Sequence, residues 1–74
     1  MNIQSKINKL LMALKTKGIY LKINTEQFYN DEDKLMTKYI VYDVHPKEGQ
    51  VFYSKLKVLL FLVDLYKKVG GADG

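Results

Sequence analysis

The stretch Ser54-Lys55-Leu56-Lys57-Val58-Leu59-Leu60-Phe61-Leu62-Val63-Asp64-Leu65-Tyr66-Lys67-Lys68-Val69 decides the fold. At a helical step of about 100° per residue its apolar side chains are not confined to one stripe. Leu56, Val58, Leu59, Phe61, Leu62, Val63, Leu65, Tyr66 and Val69 cover more than half the circumference. Lys57, Asp64, Lys67 and Lys68 share the narrow remainder, with Leu60 at its border. A surface helix needs an apolar arc only about 100° wide or somewhat more, so this one has apolar area to spare. The arc around Leu59, Leu62, Val63 and Tyr66 is expected to meet the rest of the chain. The side built from Val58, Phe61 and Leu65, with Leu62 at its margin, is left as a candidate interface for another protein.

Upstream, Ile3, Ile7, Leu10, Leu11 and Leu14 recur at helical spacing, and Lys6, Lys9 and Lys15 take the opposite arc. Asn2 is placed to cap this helix, and Gly18 stands where a glycine in the left-handed conformation ends one. The period then changes from 3.6 to 2. Ile19, Leu21 and Ile23 alternate with Tyr20, Lys22 and Asn24, which predicts a strand with a dry and a wet side. The apolar phase slips between Asn24 and Phe28, a pattern that predicts a bulge or bend before a short continuation at 27–29. Asn30-Asp31-Glu32-Asp33-Lys34 is a turn rich in side chains that bond their own backbone. Leu35 to His45 alternates again. Met36, Ile40, Tyr42 and Val44 are expected on the inner face, while Tyr39 falls on the less apolar face. Pro46 to Gly49 makes a second turn, 50–53 is a candidate third strand, and Ser54 caps the last helix.

These elements predict a two-layer α+β domain of order α-β-β-(β)-α over residues 1–69: a small antiparallel meander with both helices on one face, and a disordered glycine-rich tail at 70–74. Seventy-four residues make one small domain, and no cysteine is present to staple it. An unusually efficient core or a second subunit is therefore the expected source of stability. The longest apolar run, Val58 to Val63, is far short of the roughly 20 residues a membrane span needs. No secretory leader pattern opens the chain, and a cytoplasmic location is expected, with no membrane partner.

The residue types for catalysis are poorly represented. His45, the only histidine, stands near Asp43 and Glu48 but lacks a nucleophile and further ligands, and reads as a strand terminus. Asp31-Glu32-Asp33 lacks the central glycine and closing glutamate of a calcium loop. Ser5 and Ser54 sit in cap settings, and no glycine-rich loop opens a helix. The sequence thus predicts a non-enzymatic protein without metal or cofactor. The formal charge is +4 with twelve lysines and no arginine. A nucleic-acid surface formed by Tyr20, Lys22, Tyr39, Lys6 and Lys9 is the alternative to a protein interface, weakened by the missing arginine.

In outline the αβββα order resembles the double-stranded-RNA-binding domain, in topology only: that family has a lysine-rich start to its last helix, whereas here Lys55 and Lys57 stand alone among apolar residues and the glycine-rich approach to the helix is absent. Over most of the chain, NIQSKINKLLMALKTKG, QFYNDEDKL, TKYIVY and YSKLKVLLFLVDLYKK resemble small uncharacterised proteins of phages and prophages of low-GC Gram-positive bacteria. That resemblance implies a phage origin, a host-cell cytoplasmic location, and a role in particle assembly or host takeover. It supplies no catalytic residues.

Overall fold

The structure, a computed structural model, describes residues 2–43 and 48–70. The chain runs α1 (Ile3–Thr16), β1 (Lys22–Tyr29), β2 (Leu35–Tyr42), β3 (Gln50–Phe52) and α2 (Lys55–Gly70). The strands form one antiparallel sheet in the order β1-β2-β3, and the domain is α+β as its sequence predicts. Both helices lie on the same face. Gly70, expected to begin the tail, is instead the last residue of α2; the rest of the expected tail, 71–74, lies outside the described residues, as do Val44, His45, Pro46 and Lys47.

Local chemistry sets the element ends. The Asn2 side chain accepts the Ser5 N–H at 2.8 Å, satisfying one orphan donor at the start of α1. At its other end the Ile19 N–H donates to the Leu14 carbonyl and the Gly18 N–H to that of Lys15, both at 3.0 Å. This is a Schellman motif, and Gly18 supplies the left-handed turn with φ 85°. Ser54 Oγ accepts the Lys57 N–H at 3.2 Å and opens α2. The hairpin between β1 and β2 closes through Asn30, whose N–H donates to the Lys34 carbonyl at 3.0 Å. Its side chain also accepts the N–H groups of Glu32 at 2.8 Å and Lys34 at 3.0 Å. Asp33 completes the three-residue loop at φ 59°, a conformation that glycine adopts without penalty.

The core is small. Ile7 and Leu14 from α1, Val58 and Leu62 from α2, and Val41 from β2 are its fully buried side chains. Phe61 of α2 meets Phe52 of β3 with ring centroids 5.2 Å apart. α2 is the helix that approaches the sheet, at β2 and β3; α1 packs on α2, and none of its Cα atoms comes within 8 Å of one in any strand.

That arrangement changes two sequence expectations. β1 is a single strand without a bulge, because its register with β2 is unbroken from Lys22↔Tyr42 to Tyr29↔Leu35. The apolar phase slips since helical cover ends after Ile23: Thr25, Gln27 and Tyr29 share its face but are exposed. The inner face of β2 is also the opposite of the one expected. Val41 faces the helices, with Tyr39 packed beside it, so Met36, Ile40 and Tyr42 lie on the outer face. Lys38 belongs to that outer set, and an unpaired ammonium at the centre of a sheet is too costly to bury.

Replacing Asp33 by glycine removes the left-handed strain and should raise stability by about 0.5 kcal/mol, whereas Asp33→Val should lower it by about 1–2 kcal/mol. Urea unfolding followed by circular dichroism reads both, and equal midpoints for the two variants would contradict the loop assignment.

Candidate functional site

The residues first expected to form a protein interface are engaged inside the domain. Val58 and Leu62 are 1% and 0% exposed. Phe61 and Leu65 are half-buried and packed against the same core. The helix is rotated by close to one residue, about 100°, from the orientation expected from its sequence. The cause is α1, which docks on the flank of α2 and draws the Val58–Leu62–Leu65 line inward. Leu56 and Leu60 stand on the outside instead, 52% and 57% exposed.

The alternative lysine and tyrosine set is dispersed. Lys6 and Lys9 are exposed on α1. Tyr39 is half-buried on the helical side of the sheet, opposite Thr25, whereas Lys22 pairs with Tyr42 on the outer side. Tyr39 and Lys22 therefore cannot contribute to one platform. Tyr20 lies before β1, not in it, and together with Lys22 lines a groove of about 600 Å³ between α1 and the sheet end. Leu11 and Leu21 line its apolar part, and Lys15 and Asp43 add charge.

What the sequence reading missed is the outer face of the sheet. Register places Phe28 of β1, Met36, Lys38, Ile40 and Tyr42 of β2, and Val51 of β3 on this side. Tyr53, just past β3, joins them: its ring lies 6.4 Å from that of Phe28 in an edge-on arrangement. Lys38 Nζ stands 5.6 Å from the centre of the Phe28 ring, a cation–π distance. Lys22, Asn24 and Glu26 occupy the same face along β1. No helix covers it. Antiparallel sheets normally turn a polar face to water, and this one turns a largely apolar face. Lys38 was the signal that could have found it, being the one lysine in the middle of the central strand.

The described residues hold no group of three or more histidine, cysteine or acidic side chains able to bind a metal ion. They also contain no buried polar or charged side chain. The acidic hairpin tip is solvated, with an exposed Lys34–Glu32 ion pair at 3.6 Å. Among the described residues no helix is long and apolar enough to cross a membrane. No protein-family model matches the chain, and no curated protein or solved structure is significantly similar to it.

The division of α2 into core and surface lines can be measured directly. Leu62→Ala should cost about 2–5 kcal/mol, as a buried leucine does, while Leu60→Ala should stay within roughly 0.5 kcal/mol of the parent. Comparable losses from the two in chemical denaturation would refute the rotated placement of α2.

Proposed function

We propose that this chain is a non-enzymatic protein that works through protein–protein contact, and that a second copy of itself is the first occupant of its exposed sheet face. The observation carrying this reading is the uncovered face formed by Phe28, Met36, Ile40, Tyr42, Val51 and Tyr53. Val51 and Tyr53 are 45% and 59% exposed despite their apolar character. Patches of that kind mark interfaces more often than ordinary surface.

A second layer on the bare face would supply the burial that one chain cannot arrange for itself. The resemblance to phage and prophage proteins sets this contact in particle assembly or interference with a host protein.

Sedimentation equilibrium tests the reading. The chain should associate at low micromolar concentration, and the pair Val51→Thr with Tyr53→Thr should weaken association about tenfold or more, equivalent to ~1.4 kcal/mol. Both sites are exposed, so the unfolding midpoint of the variant should move little. A strict monomer at hundreds of micromolar overturns self-association.

One observation favours a second reading. Lys22 and Lys38 share the bare face with Phe28, Tyr42 and Tyr53, the combination on which single-stranded nucleic acid stacks. Binding by this surface should be retained on filters at about 50 mM salt and fall steeply as salt rises. Absence of retention at tens of micromolar protein excludes it.

A further inference from the structure

Among the described residues β1 has a neighbouring strand on one side only. Its eight residues form an edge of the sheet, and no Cα of α1 approaches it within 8 Å. Folded proteins usually protect such an edge with a proline, a bulge, a covering element, a very short strand or charged side chains. β1 has only the last of these, Lys22 and Glu26: its register with β2 is continuous and it contains no proline. The other edge, β3, is only three residues long.

The direction of the free hydrogen-bonding groups follows from the hairpin. Asn30 donates to Lys34 as the closing pair, and that pair continues the register of Tyr29↔Leu35. Because inward and outward residues alternate along an antiparallel strand, Phe28, Glu26, Asn24 and Lys22 bond to β2. Tyr29, Gln27, Thr25 and Ile23 then turn their N–H and C=O groups to the open edge.

The side chains select what can lie there. β1 carries two charges, Lys22 and Glu26, four positions apart on the bare face. A second β1 laid antiparallel about a two-fold axis at Asn24 sets each Lys22 opposite the other copy's Glu26. Ile23 then faces Thr25 across the seam, and these outward groups complete hydrogen bonds in both directions. An axis at Glu26 would oppose two carboxylates, and one at Lys22 two ammonium groups, so like-charge pairing disfavours those registers. An axis at Thr25 opposes no like charges but sets Lys22 against Phe28 and Glu26 against Asn24, so only the axis at Asn24 joins opposite charges.

We infer that the free edge of β1 is a self-recognition edge, pairing antiparallel with β1 of a second copy through reciprocal Lys22–Glu26 contacts. This rests on the reading that the chain self-associates, but uses main-chain pairing and not the apolar face. The resulting six-stranded sheet sets two bare faces side by side, so a further pair of copies covering them, as the face contact proposed above requires, meets two sites held together. In the pair Glu26 stands between Lys38 of its own sheet, directly opposite it across β1 and β2, and Lys22 of the second copy.

Sedimentation equilibrium on a charge-reversal cycle tests this, with circular dichroism confirming the fold of each variant. Lys22→Glu and Glu26→Lys should each weaken association several-fold, and the double variant should restore it. Thr25→Pro, which removes an outward N–H tolerated at an edge, should weaken association at least tenfold. Amide exchange at Ile23 and Thr25 should slow as protein concentration rises. If the chain associates but Thr25→Pro and the charge cycle leave the constant unchanged, the edge assignment falls and self-association stands. A monomeric parent overturns both.

Discussion

The whole molecule hangs on a junction of three elements: Val58 and Leu62 of α2 wedged between Ile7 and Leu14 of α1 and Val41 of β2. Each fully buried aliphatic side chain contributes about 1.5–3 kcal/mol, and a domain of this size has only about 5–15 kcal/mol of net stability. Five such side chains leave little to spare. To make the junction, both helices must come to the same face, and α2 must give up its most apolar line to α1 and the sheet together. The bare outer face and the open β1 edge are consequences of that choice. Sixteen helical residues in α2 and fourteen in α1 cannot cover a hairpin of two eight-residue strands as well as the strand beside it.

The features legible in the sequence are the local ones. Asn2, Gly18, Asn30 and Ser54 act on backbone groups within a few residues of themselves, so their roles as caps and turns needed no tertiary knowledge. Element order and fold class followed from them. Face assignment is a different problem. Period two says that Met36, Ile40 and Tyr42 share a side and that Thr37, Tyr39 and Val41 share the other, but both sets are apolar enough to be buried. The lysine between Met36 and Ile40 breaks the tie, since its ammonium must keep contact with water. The rotation of α2 was not legible in this way. It depends on where α1 docks, a contact between residues more than forty positions apart.

The apparent disorder of the pattern in β1 has the same origin. Ile23 is apolar because α1 and α2 reach over it; Thr25 and Gln27 on the same face are polar because nothing does. A groove of about 730 Å³ runs beneath α1 at this place, lined by Ile7, Leu21, Ile23 and Tyr39. Its far wall is the open edge of the sheet. The slip in apolar phase is therefore a record of where the helical layer stops, not of a kink in the strand. Where cover stops, association must supply burial or the surface stays wet.

Charge placement then separates the two kinds of partner proposed for the outer face. A nucleic-acid strand needs positive charge repeated along its path, because its affinity is set largely by neutralised phosphates. Along β1 toward the hairpin tip the order is Lys22, Glu26, then Asp31, Glu32 and Asp33, so the field reverses sign over the length of the strand. Lys38 leans over the Phe28 ring, where it also occupies one of the aromatic surfaces a base would stack on. A copy of the same chain meets no such difficulty. Antiparallel to itself, a strand that is positive at one position and negative four residues later is its own complement, and the lysine that spoils a core is well placed beside a carboxylate at the rim of an interface.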